Sequence, residues 1–129
     1  MADKEDIKKK VIEVLETVID PEIGIDIYNL GLIYNIEVVD DKHVKIKMSL
    51  TTAFCPLANI LPAIAKEQIK RQLDIDADIE LVYEPPWTPE KMTEKGRRMF
   101  IERYGYDIVE EWKRRYSTYN IINKLLFLL

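Results

Sequence analysis

Cys55 is the single cysteine of the chain, set in the run Thr51-Thr52-Ala53-Phe54-Cys55-Pro56-Leu57. A thiol just ahead of a helix feels the partial positive charge of unpaired backbone N–H groups. That field favours thiolate, the form that attacks electrophiles and binds metals. The competing reading is a buried cysteine that behaves as a small hydrophobe. Thr51 and Thr52 lead into the same run, and their hydroxyls can donate to a thiolate or cap the turn backbone. Asp20 and Glu22 flank Pro21, whose ring fixes the local backbone and so holds both carboxylates in a set geometry. An acid just past a helix C-terminus meets the unfavourable end of the helix dipole. It therefore needs a partner, such as a backbone N–H, a hydroxyl or a metal. Where the two loops meet, Asp20, Glu22, Thr51, Thr52 and Cys55 make a small acidic and thiol pocket. Sulfur could bind a soft metal there, with oxygen donors behind it.

Other chemistries lack their residues. His43 is the one histidine, and it falls in an expected hairpin turn as a solvated residue. One Cys and one His cannot build a closed zinc site, nor supply the four thiolates that enclose an iron–sulfur cluster. His43 lies at the far end of a strand from Cys55, several residues of about 3.3 Å each, so no thiol–imidazole pair is expected. No glycine-rich phosphate loop is present. Arg97, Arg98, Arg103, Lys113, Arg114 and Arg115 are interleaved with Tyr104, Tyr106, Trp112, Tyr116 and Tyr119, a mixture that can bind nucleic acid. Glu94, Glu102, Asp107, Glu110 and Glu111 sit among them, and the net charge is -4, so solvated helix faces are expected instead and no nucleic-acid partner.

The composition, 47% hydrophobic and 33% charged over 129 residues, fits one folded unit with a modest core and excludes a disordered chain. A lone cysteine forms no internal disulfide, which suits a reducing compartment, and the charged start Met1-Ala2-Asp3-Lys4-Glu5-Asp6 is no signal peptide. Cytoplasm is the expected location. The apolar tail, Ile121 to Leu129, falls well short of the roughly 20 residues that span a bilayer, so no membrane association is expected.

The elements that must position the candidate residues follow from periodicity. Ile7, Val11, Val14, Leu15 and Val18 predict an amphipathic helix from Asp3, its N-cap, to Ile19, stopped by Pro21. A strand is expected from Leu32 to Val39, with Leu32, Tyr34, Ile36 and Val38 on one face, then a turn at Asp40-Asp41-Lys42-His43. In the next strand Val44, Ile46, Met48 and Leu50 alternate with Lys45, Lys47 and Ser49, one face buried and the other wet. A helix then runs to Leu73. It starts either at Pro56, with Pro62 as an interior kink, or after an Asn59 N-cap, with Pro62 harmless in the first turn. A third strand, Ala77 to Tyr83, returns parallel to the second through a right-handed crossover. The fold expected is α+β: a two-layer sandwich, order α-β-β-α-β, its small mixed sheet covered by helices on one face. Beyond Pro85-Pro86-Trp87-Thr88-Pro89, Thr88 is expected to cap a helix. Gly96 and Gly105 would divide the rest into helical pieces at Pro89–Lys95, Arg97–Tyr104 and Asp107–Tyr116. Residues 1–95 form the expected domain, and residues 96–129 a helical extension packed on it or on a partner.

Four short motifs, Asp20-Pro21-Glu22, Asn29-Leu30-Gly31-Leu32-Ile33, Leu50-Thr51-Thr52 with Cys55-Pro56, and Pro86-Trp87-Thr88-Pro89, stand in an order and spacing that resembles the metal–sulfur cluster biosynthetic proteins, the PaaD-like or SufT-like family of iron–sulfur assembly factors. The resemblance covers about Ile7 to Thr93. It implies a compact α+β domain, a role in maturing or delivering iron–sulfur clusters, and a functional pocket made by the Asp-Pro-Glu and Thr…Cys-Pro loops. Carried onto this chain, Asp20, Glu22, Thr51, Thr52 and Cys55 become the cluster or metal contacts, with Cys55 as the ligand and reactive thiol, and Trp87 a partner contact. One thiolate per chain cannot complete a cluster's coordination. The expectation is therefore a labile cluster or iron shared between the subunits of a homodimer or with a partner, in an assembly or carrier factor that serves iron–sulfur clients rather than an enzyme. The competing functions are a metal-free adaptor that links cluster donors to clients through Trp87 and the C-terminal helices, and a small thiol enzyme with Asp20 or Glu22 as base.

Overall fold

The computed structural model describes residues 3–51 and 60–128. Helix α1 (Lys4–Leu15) starts at its expected cap, where the Asp3 carboxylate accepts from the Glu5 N–H. It buries Ile7, Val11, Val14 and Leu15. The helix ends four residues earlier than its periodicity suggests. The Thr17 hydroxyl donates to the Val14 carbonyl at 2.6 Å, and the N–H groups of Thr17 and Val18 bond three residues back, which tightens and closes the last turn. Val18 is still buried, but from the following loop, so helical spacing of apolar residues outlasts the helix.

Strands β1 (Ile33–Asp40) and β2 (His43–Met48) form an antiparallel hairpin across the expected turn. A register shift between Ile33 and Asn35 leaves Tyr34 as an extra residue in β1, a bulge. In β2, Val44, Ile46 and Met48 are buried while Lys45 and Lys47 are exposed, as the alternation requires. Ser49 breaks the pattern: the strand has ended, and the residue is buried rather than wet. Helix α2 (Ile60–Leu73) carries Pro62 among its first residues, where a missing N–H costs little. It leads through Asp74 into β3 (Asp76–Leu81), which pairs in parallel with β2. The sheet order is β1-β2-β3, mixed as expected. Tyr83 lies beyond the strand and is exposed. Helices α1 and α2 share one core with the inward face of the sheet, where Val11, Leu15, Ile46, Met48, Ala65 and Ile69 are fully buried. Removing a valine, leucine, isoleucine or methionine side chain from water stabilises the fold by about 1.5–3 kcal/mol each.

The C-terminal part departs from its expected pieces. Pro89–Lys91 is a single 3-10 turn, and the Thr88 side chain makes no capping bond. Thr93 is the cap instead: its hydroxyl accepts from the Gly96 N–H at 3.0 Å and opens α3 (Glu94–Tyr104). Gly96 therefore lies inside a helix and divides nothing. Its bare Cα fits against the Asn29 carbonyl, 2.1 Å from where a Cβ would stand. Phe100 of α3 joins the core. Gly105 ends α3 in a left-handed conformation, and α4 (Ile108–Leu128) follows as one long helix. Asp107 caps it, accepting from the Val109 N–H at 3.0 Å, and its carboxylate is gripped by the Arg97 guanidinium.

Candidate functional site

The segment between α1 and β1 positions the first two candidate carboxylates. It doubles back on itself. Asp20 N–H donates to the Ile25 carbonyl, Gly24 N–H to the Asp20 carbonyl, and an isolated bridge joins Ile19 to Asp26. Asp20 is 4% exposed, and its Oδ1 accepts from the N–H groups of Glu22 (2.8 Å) and Ile23 (3.1 Å). Backbone N–H groups thus satisfy this acid, and because α1 ends at Leu15 the carboxylate does not sit directly past the helix C-terminus as expected. Glu22 is exposed at the tip of the same turn.

Three backbone bonds carry this loop across to the exit of β2. Ile27 N–H donates to Val18 O at 2.9 Å, Leu32 N–H to Ile27 O at 3.1 Å, and Ser49 N–H to Leu32 O at 2.7 Å. The loop with Asp20 and Glu22 and the half-buried Thr51 therefore occupy the same end of the sheet. Thr52 and Cys55 lie outside the described residues. Ser49, 1% exposed and its hydroxyl without a hydrogen-bond partner among the described residues, is also at this end. Among the described residues no group of three or more His, Cys, Asp or Glu could hold a metal ion.

Asp26, Asn29, Gly31, Trp87 and Thr93 lock this loop in place. Asp26 and Asn29 are both 3% exposed. The Asp26 carboxylate accepts from the Asn29 backbone N–H and from its side-chain amide, each at 2.9 Å. That amide also reaches Glu16 at 3.1 Å, while its oxygen accepts from the Thr93 hydroxyl at 2.6 Å. A buried carboxylate costs several kcal/mol unless it is held this way. Gly31 takes a φ of +82°, and a Cβ there would stand 2.0 Å from the Lys91 carbonyl. Trp87 is half-buried against the core, and its indole N–H donates to the Leu30 carbonyl at 2.6 Å. The Tyr104 hydroxyl donates to the Ile23 carbonyl from α3. Asp26 and Thr93 were absent from the candidate residues. The signal for Asp26 is the spacing Asp26-x-x-Asn29, which suits an acid that caps the turn three residues on; Thr93, distant in sequence, has none.

His43 is exposed at the start of β2, just past the expected turn, and bonded to Asp40 at 2.8 Å, far from this end of the sheet. The Lys42 backbone N–H and then the His43 ring hold the Asp40 carboxyl below its ordinary range.

Residues 8–81 match the family described as iron-sulfur cluster assembly protein. The chain is 38% identical over 91 residues to the Fe-S protein maturation auxiliary factor YitW of Bacillus subtilis, covering 70% of this chain and 89% of that one. It is 39% identical over 77 residues to the Fe-S protein maturation auxiliary factor SufT of Staphylococcus aureus, covering 59% of this chain and 88% of that one. Among solved structures, the fold resembles a domain of unknown function, DUF59, from Bacillus anthracis, at a TM-score of 0.69 and 31% identity over 74% of this chain and 92% of that one. A conserved hypothetical protein from Thermotoga maritima superposes at 0.60 with 41% identity, over 77% of this chain and 94% of that one. The family match spans both strands of the hairpin, the crossover helix and the loop that holds Asp20, so the chain belongs to the iron-sulfur cluster assembly protein family.

Proposed function

We propose that this protein is an iron–sulfur maturation factor that uses Cys55 to bind or hand on a cluster or iron to client proteins. The family match over residues 8–81, in which the Asp20 loop and the strand leading to Cys55 both fall, is the observation that carries this reading. The relatives named as maturation auxiliary factors point the same way. The cluster is cargo here. One sulfur per chain leaves its coordination incomplete, so a second subunit, a partner or small thiols must supply the rest, and such a cluster leaves easily. In this reading Asp20, Glu22, Thr51 and Thr52 are the residues that assist Cys55 with the cargo. A homodimer, a cytoplasmic setting and iron–sulfur clients or assembly factors as partners complete the proposal. No helix of the described residues is long and apolar enough to cross a membrane.

Anaerobic reconstitution of the wild type and Cys55→Ser, read by iron and sulfide content and by transfer to an apo acceptor, tests it. The variant should keep its circular dichroism and lose both cluster and transfer. An unchanged iron and sulfide load would overturn the proposal.

The adaptor function is the second reading. It draws on the exposed rings of Tyr104, Tyr106 and Tyr116 along the C-terminal helices. Trp87 contributes less to it, because its indole N–H is already engaged by Leu30. A chain truncated before Gly96 would strip Phe100 from the core, so the substitutions Tyr106→Ala and Tyr116→Ala are the cleaner probe. An adaptor loses its partners in those variants while a carrier keeps its cluster.

A further inference from the structure

Among the described residues, strand β3 lies at the edge of the sheet, with β2 on one side only. Asp76 and Val82 direct their N–H groups toward the β2 side, at Lys42 O and Met48 O. In a parallel ladder alternate residues face the same neighbour, so the N–H and C=O groups of Ala77, Ile79 and Leu81 point outward. These groups have no backbone partner among the described residues. The two faces beside this edge differ sharply. On the wet face Asp78 and Glu80 are exposed, and neither has an ion-pair partner among the described residues, although Asp76 pairs with Lys70. On the core face the start of the strand, at Asp76 and Ala77, borders an open groove of about 420 Å³ against α2, lined also by Ala63 and Ile75 and by the charged Lys66, Glu67, Lys70 and Arg71.

We propose that the β3 edge and its groove are a docking site for an extended segment of a partner protein in which basic residues alternate with apolar ones. A strand added here takes up the outward backbone groups of Ala77, Ile79 and Leu81. Its side chains then alternate between the two faces of the sheet. Those on the wet face stand beside Asp78 and Glu80, and opposite charges across a strand pair attract. On the other face, the one beside Ala77 enters the groove against α2. Strand β2 shows the pattern the edge accepts: Lys45 and Lys47 stand beside Asp78 and Glu80, while Val44 and Ile46 share the core face with Ala77 and Ile79. A second copy of β3 is a poor occupant, since its acids would meet Asp78 and Glu80 and repel them.

The probe is a short end-blocked peptide alternating lysine and valine, set against one alternating glutamate and valine, both titrated into the full chain labelled with ¹⁵N. The lysine peptide should shift the amides of Ala77, Ile79 and Leu81 and slow their hydrogen exchange, and the glutamate peptide should not. The double variant Asp78→Lys/Glu80→Lys should bind the lysine peptide about tenfold more weakly and gain affinity for the glutamate peptide. If that variant fails to fold, the wild-type preference between the two peptides decides alone. Equal binding of both peptides, shifts confined to another surface, or amides of Ala77, Ile79 and Leu81 already protected in the free protein would overturn the proposal.

Discussion

The two ends of the sheet handle charge in opposite ways. At the hairpin end, Asp40, Lys42, His43, Lys70, Asp74 and Asp76 are exposed, and they pair across open solvent at 2.8 to 3.8 Å. At the other end, Asp20 and Asp26 are buried, and every bond they accept comes from backbone N–H or from the Asn29 amide. Exposed pairs gain little, because water and salt screen them and two side chains must be ordered. Buried carboxylates are costly unless satisfied, so each of their partners becomes hard to replace. Rigidity is therefore concentrated where the loop of Asp20 and Glu22 meets the strand that leads to Cys55, and tolerance at the opposite end.

Substitutions should expose that gradient. The largest effect is expected at Gly96→Ala. The new methyl would lie 2.1 Å from the Asn29 carbonyl, backbone that cannot move without dislodging the loop, and α3 must lift with Phe100. A loss of about 3 kcal/mol or more in chemical denaturation is expected. Next is Asn29→Ala, which strips the Asp26 carboxylate of its amide donor and leaves the Thr93 hydroxyl without its acceptor on the Asn29 side chain. About 2–3 kcal/mol should be lost. An Asn29→Ala protein as stable as wild type would show that this end is no more constrained than the hairpin.

Most of the frame was legible in sequence because it is repetitive. Lys45 and Lys47 alternating with Val44, Ile46 and Met48 leave only one way to orient β2, and the single helix before Ala77 makes β3 parallel. Periodicity misled where tertiary contacts took over. Val18 keeps the helical spacing of α1, yet it is buried from a turn; Ser49 keeps the strand alternation, yet β2 has ended before it. Gly96 reads as a helix breaker, while its real task, a close approach to Asn29, depends on chain far away in sequence. The same distance hides the bond from Thr93 to Asn29. Of the candidate site, Asp20, Glu22 and Thr51 lie at one end of the sheet. Thr52 and Cys55, whose placement the sequence reading most depended on, lie outside the described residues.

Intermediate effects sharpen the comparison. Trp87→Phe keeps a ring against the core and removes the indole donor to Leu30, so about 1 kcal/mol should be lost. Trp87 was also a proposed partner contact; a fall in partner capture at matched folded concentration would support that role. The α3–α4 corner lies between the two extremes. Arg97 and Asp107 are half-buried and paired through two guanidinium nitrogens. The hydrogen bond from Arg97 holds the Asp107 carboxyl below its ordinary range, helped by the N–H groups of Glu110 and Val109. A carboxyl depressed on folding stabilises the native state above its unfolded pKa, about 3.9, and that contribution disappears as pH falls through the lower folded value. Asp107→Asn should therefore lower the denaturation midpoint at neutral pH and flatten its decline in acid. A variant that kept the wild-type acid slope would remove this pair from the acid response.

The smallest effect is expected at Lys70→Met, and it tests the open end directly. Lys70 bonds Asp74 at 3.1 Å and Asp76 at 3.3 Å, and these hydrogen bonds raise its pKa above the ordinary lysine value. Both acids are more than half exposed, and Asp74 keeps Lys42 as a second partner at 3.1 Å. Removing Lys70 leaves no buried charge uncompensated, so the denaturation midpoint at physiological salt should not move measurably. At low salt a small loss should emerge, because the Debye length then lets Asp74 and Asp76 repel one another. A loss at physiological salt as large as that of Asn29→Ala would mean that the hairpin end is held by its charges after all. The contrast between the two ends would then lie in burial alone, not in what each residue contributes to the fold.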